Sequence, residues 1–197
     1  DSDRGSSPEM YENASMASDM LGVMDHLGIG DFIVVGHDKG MPTARRVAAD
    51  NPGRVKGAVL LDGMPEGASV PRGRDTSGRT WYFDFFRQRG VAEQLIGQNP
   101  RLFFSLFLER NPHLTAEEHD YYASIFSRRG SVEAILADYR AGLEVDGAFW
   151  QEQAAAGVKM TVPVLSLWGG RGPTANAPVL EAWSQVAENV RGEVVED

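Results

Sequence analysis

Residues 31–52, "DFIVVGHDKGMPTARRVAADNP", decide the fold. Residues 32–35 form a short apolar, β-branched run, and residues 41–52 have helical character, with Pro42 in the first turn where a missing amide proton costs little. Between them, Gly36, His37, Asp38, Lys39 and Gly40 fit the pattern small, any, nucleophile, any, small. Glycines at both ends permit a turn so tight that the central side chain stands clear of the sheet edge. The amide of residue 39 then opens the next helix, where it can stabilise negative charge growing on an oxygen. An ordinary glycine-rich loop would contain the same five residues, so the strand before and the helix after carry the inference.

Working outward, Ala14, Ala17, Leu21 and Met24 recur at steps of three and four, which predicts an amphipathic helix ended by Gly28. "VKGAVLLDG" (55–63) is a second apolar run, closed by a turn-forming Asp-Gly. "VPVLSLWGG" (162–170) and "RGEVVED" (191–197) read as two further strands around the helix "APVLEAWSQVAE" (177–188). Unbroken apolar strands alternating with helices predict an α/β fold, a parallel sheet covered on both faces.

Residues 67–79, "GASVPRGRDTSGR", are a Gly/Pro/Arg-rich connection, and helical segments follow: "TWYFDFFRQ", "VAEQLIG", "PRLFFSLFLER", "TAEEHDYYASIF" and "VEAILADYRAGLE". Thr115 and Glu118 have the spacing of a capping box. The expected organisation is a core in two parts, 1–66 and 161–197, interrupted by a helical cap at 67–160.

Composition narrows the ligand. Nineteen Lys and Arg against 28 Asp and Glu give a net charge of −9, which disfavours a nucleic acid or an anionic membrane as partner and leaves a small neutral molecule. Without cysteine there is no disulfide framework, thiolate metal site or cysteine nucleophile. No apolar run approaches the roughly 20 residues that cross a bilayer, and "DSDRGSSPEM" (1–10) does not read as a signal peptide. No His/Asp/Glu cluster has metal-ligand spacing, so neither metal nor cofactor is expected. The expected location is cytoplasmic, with a homodimer as one expected assembly.

A carboxylate nucleophile attacks amides poorly but can open a strained epoxide or displace a halide at carbon, leaving an alkyl ester. Hydrolysing that ester needs a water activated by a base, usually a histidine held by a second carboxylate. Asp62, at the end of the next strand, is either that carboxylate or simply the turn-former before Gly63.

Several segments together carry a resemblance: "DRGSS" (3–7), "VVGHDKG" (34–40), "VLLDGMP" (59–65), "GVAEQLIGQNPRLFFSLF" (90–107), "DYRAG" (138–142) and "PVLSLWGG" (163–170). Over nearly its whole length the chain resembles the α/β-hydrolase superfamily, in the branch of soluble epoxide hydrolases and fluoroacetate dehalogenases. The resemblance implies that Asp38 is the nucleophile and that Asp62 matches the acid that orients the histidine in dehalogenase-like members. "WGGRGPT" (168–174) has no Asp where other members carry that acid. Tyr82 and Tyr139 match the two cap tyrosines that grip the epoxide oxygen, although by residue type alone each would be packing in an aromatic cap. Fluoroacetate dehalogenases place His and Trp at the sites matching Tyr82 and Phe83, and two arginines where this chain has Lys39 and Pro42, so the epoxide reading is favoured.

His37, Lys39, Trp81 and Phe83 complete the candidate substrate contacts; by residue type alone His37 is a structural neighbour of the turn and Lys39 offers its backbone amide. The aromatic group suits an apolar epoxide or organohalide. His26, His113 and His119 lie in or beside helices, none placed as the base. The family's histidine follows the last strand, and its second oxyanion donor sits on an earlier His-Gly loop. The chain is therefore expected to be an internal segment of a longer enzyme, truncated at both ends and without the first strands, the true N-terminus or the base histidine.

Overall fold

The computed structural model describes residues 3–5, 7–70 and 80–196. Most of the connection read at 67–79 lies outside these residues. The described chain forms two compact units: the helical segments after residue 79, through Ala141, cluster with residues up to Tyr11, and the rest forms a sheet unit. Residues 142–160 belong to the sheet unit.

In the sheet unit, α1 (Asn13–His26) leads to β1 (Phe32–His37), α2 (Gly40–Asp50) and β2 (Val55–Leu61). After the cap come α8 (Gly147–Ala155), β3 (Val164–Gly169), α9 (Val179–Val186) and β4 (Val190–Val195), where α3–α7 are the cap helices given below. The strands lie in the order β1-β2-β3-β4, every pair parallel. Gly28, at φ 68°, follows α1 as the sequence predicts.

Side chains alternate between the sheet's two faces. The face bearing Val34, Gly36, Ala58, Leu60, Val164 and Val190 packs against Ala17 of α1, Met41, Ala44, Val47 and Ala48 of α2, and Val179, Trp183 and Val186 of α9. Burial of each Val- or Leu-sized side chain there contributes roughly 1.5–3 kcal/mol. On the opposite face, Ile33 is 64% and Val35 62% exposed. Among the described residues of the sheet unit, the expected cover on both faces is thus met on one.

The cap unit contains α3 (Trp81–Phe86), α4 (Val91–Gln98), α5 (Pro100–Leu108), α6 (Ala116–Phe126) and α7 (Ser131–Ala141). Its core is Phe86, Ala92, Ile96, Phe104, Val132 and Leu136. The capping box forms as predicted: the Glu118 amide donates to the Thr115 hydroxyl, and the Thr115 amide donates to the Glu118 carboxylate. Arg140, only 8% exposed, donates to the Phe86 carbonyl and to Glu93, tying α7 to α3 and α4. That hydrogen bond holds the Glu93 carboxyl below its usual pKa.

Candidate active site

Asp38 is the bend between β1 and α2. Its φ of 49° is the left-handed conformation that L residues rarely adopt. The sequence forces this locally, because only two residues separate the end of β1 from the start of α2, which sits directly on it. A Cβ on Gly36 would lie 2.5 Å from the Ala44 Cβ and 2.5 Å from the Gly40 carbonyl oxygen, so no other residue fits. Gly40 differs from expectation: a Cβ there meets nothing within 4 Å and its φ is not left-handed, so the turn needs only the first glycine. Asp38 is exposed, and its carboxylate takes no hydrogen bond or ion pair from the described residues.

Asp62 is the second non-glycine residue with positive φ, at 53°, and it leaves the end of β2 beside β1, where His37 pairs with Leu61. Its Oδ1 accepts from the Gly169 amide at 2.8 Å, and its Oδ2 lies 3.4 Å from His37 Nε2. Parallel strands bring these groups to the carboxyl edge of the sheet, where ligands of α/β sheets bind. Asp38 and Asp62 thus stand at the ends of adjacent strands. Residue type alone had left His37 as a neighbour of the turn; pairing it with Asp62 required the register between the strands.

The tyrosines are brought together in the cap. Tyr82 and Tyr139 have ring centroids 5.8 Å apart at 89°, and Phe83 lies 4.6 Å from Tyr82 and 5.6 Å from Tyr139. Trp81, 45% exposed, stacks on Phe107 at 6.1 Å. The shared aromatic packing holds both phenols in one cluster. A separate cleft of about 260 Å³ in the cap unit is lined by Arg4, Tyr11, Glu133 and neighbours, and includes none of the residues singled out above.

Among the described residues no group of three or more His, Asp or Glu could hold a metal, and no helix is long and apolar enough to cross a membrane.

The alpha/beta hydrolase fold family matches residues 1–197. The chain belongs to the α/β-hydrolase family. This α/β-hydrolase is 30% identical over 196 residues to the soluble epoxide hydrolase of Corynebacterium sp. (strain C12), a match covering 95% of the chain and 66% of that protein. It is 28% identical over 169 residues to the fluoroacetate dehalogenase of Burkholderia sp, covering 82% of the chain and 55% of that protein. Among solved structures it superimposes on Cfl2 from Burkholderia cenocepacia with TM-score 0.85 at 29% identity, covering all of the chain and 67% of Cfl2. It also superimposes on the epoxide hydrolase CorEH with TM-score 0.81 at 28% identity, covering 99% of the chain and 70% of CorEH. The chain therefore spans about half to two thirds of the two curated relatives, and its likenesses fall in the epoxide-hydrolase and dehalogenase branch.

One residue of this α/β-hydrolase escaped the sequence reading. Asp146 ends a π turn, Gly142–Asp146, that separates α7 from α8, and it is only 5% exposed. Burial pushes its carboxyl up to about 6, against the Asn13 amide that donates to it. Nothing in "AGLEVDGAF" (141–149) signals this, because the helical pattern runs straight through.

Proposed function

We propose that the chain is the nucleophile-bearing and cap-bearing part of an epoxide hydrolase. Asp38 attacks an epoxide carbon, the ring C–O bond breaks, and an alkyl ester forms on the Asp38 carboxyl. Tyr82 and Tyr139 hydrogen-bond the departing oxygen, and one of them gives it a proton. Water then attacks the ester carbonyl, releasing the diol and restoring the carboxylate. Asp62 orients the histidine that activates this water. His26 ends α1, His113 and His119 belong to the cap unit, and His37 shares the nucleophile's own turn, so in this reading none of the four is the base. In this reading Trp81 and Phe83 supply apolar contacts suited to a small apolar epoxide, and His37 and the Lys39 amide supply polar ones.

The observation that carries this reading is the pair of tyrosine rings with centroids 5.8 Å apart in one aromatic cluster, in a family member whose β1–α2 turn presents an exposed carboxylate. A halide leaves as a stable anion without taking a proton, whereas an alkoxide must be hydrogen-bonded and then protonated. Dehalogenation through the same ester is the second reading, supported by the likeness to the Burkholderia protein. A non-catalytic binding protein is the third, and it gives no reason for both carboxylates and both phenols.

The test is mass spectrometry of the chain after incubation with an epoxide. An adduct on Asp38, absent in Asp38→Ala and not turned over, supports the reading. Halide release from a matched organohalide without any epoxide adduct replaces it with the dehalogenase. Sustained diol production by residues 1–197 alone would overturn the exclusion of these histidines as the base.

A further inference from the structure

Beside the β1–α2 turn lies a group of buried and half-buried charges that the proposed reaction does not use. Asp146 is at its centre. Both of its carboxylate oxygens accept from the backbone amide of Asn13, at 3.1 and 3.3 Å. Asn13 is the first residue of α1, so this amide has no partner within its own helix, and the carboxylate also faces the positive end of the helix. The Asn13 side chain extends the link to α2, its Oδ1 accepting from the Thr43 hydroxyl at 2.9 Å. Lys39, the residue after Asp38, packs on the other end of the same π turn: its Nζ is 3.2 Å from where a Cβ on Gly142 would be, so the ammonium lies close against that glycine.

The charges facing Asp146 come from every side. Lys39 favours the carboxylate, Glu12 before α1 and Glu66 after β2 oppose it, and burial outweighs them all. Arg45 of α2, a buried cation, is engaged elsewhere: it donates to the Glu66 carbonyl at 2.9 Å and lies 3.6 Å from the Trp150 ring centre. Lys39 is thus the cation whose charge Asp146 feels. The chain also passes between the two units at Tyr11–Glu12 and at Ala141–Gly142, and the Asn13–Asp146 bond joins these two entries where they reach the sheet unit.

We propose that Asp146 is a positioning residue for the β1–α2 turn: its carboxylate fastens the start of α1, holds the Lys39 side chain against the π turn, and so steadies the backbone that carries Asp38. That Asp38 reacts with an epoxide rests on the reading above; the clamp does not. The test therefore reads Lys39 directly. The chain and Asp146→Asn are acylated in trace with an N-hydroxysuccinimide acetate, using Lys56 and Lys159 as internal references. Asp146→Asn is expected to raise the relative rate at Lys39 roughly two- to fivefold, the size of a partly screened ion pair. An unchanged rate in the folded variant overturns the proposal. If that variant fails to fold, Lys39→Met is followed by carboxyl NMR: the Asp146 midpoint moves up if Lys39 is its counter-charge, and an unmoved midpoint overturns the clamp. Single-turnover esterification of Asp38 is then compared across pH. A wild-type inflection that tracks Asp146 and vanishes in Asp146→Asn ties the clamp to the turn, and an inflection that persists in the variant refutes that tie. Labelling as expected with no adduct on wild-type Asp38 would sink the epoxide reading and leave the clamp standing.

Discussion

Gly36 and Gly40 bracket Asp38 symmetrically in the sequence and differ in the structure. Gly36→Ala drives a methyl into the Ala44 Cβ and the Gly40 carbonyl, each 2.5 Å away, and should destabilise the sheet unit by about 1–3 kcal/mol in urea unfolding. Gly40→Ala meets open space at the first residue of a helix and should be neutral or up to ~1 kcal/mol stabilising. An equal loss from both would show that the turn is not built as described. The phenols are separable in the same way. Tyr82→Phe and Tyr139→Phe keep the aromatic packing and remove one donor each, so each should slow esterification of Asp38 by about 10²-fold. Thermal stability should barely change. The strand, turn and helix around Asp38 were legible because glycine spacing is a local feature. The spare room at Gly40 was not, since it depends on what α2 leaves empty.

At the level of elements, the end of α7 shows where periodicity misleads. "VEAILADYRAGLE" reads as one continuous helix, yet the α-helix stops at Ala141 and a π turn fills 142–146. The extra residue swings Asp146 onto the Asn13 amide and leaves space for Lys39, a tertiary demand that a local pattern cannot express. The same burial makes stability depend on pH. The Asp146 carboxyl is raised from its ordinary value of 3.8 to about 6, so the folded chain binds its proton more tightly than the unfolded one does. Its favourable contribution is therefore complete below about pH 3.8 and is lost as pH rises through about 6. Asp146→Asn removes that loss. Relative to wild type, the variant should gain roughly 1–3 kcal/mol between pH 4 and pH 7 in paired urea titrations. The Thr115–Glu118 box makes the contrasting case: its partners are three residues apart, and the sequence was enough.

For the whole molecule, the four strands read correctly as apolar runs, and that is why they could not reveal which side is covered. Apolar side chains on both faces of β1 predict cover on both. Helices α1, α2 and α9 pack one face, while Ile33, Val35 and Leu165 on the other are 64%, 62% and 39% exposed. β1 is also an edge strand, with one side of its backbone unpaired among the described residues. A wide apolar sheet face beside an open edge favours association, while a net charge of −9 opposes it. Charge repulsion is screened within roughly 10 Å at 0.1 M salt, and apolar contact is not. The purified chain should therefore bind a hydrophobic dye and associate more at 0.5 M than at 0.02 M sodium chloride, as read by light scattering. Replacing Ile33 and Val35 together by Thr keeps the β-branched shape that suits a strand and removes apolar surface, so it should suppress both effects. Persistence of dye binding and association in that variant would locate the adhesive surface elsewhere, since among the described residues neither side chain belongs to the core cluster of the sheet unit.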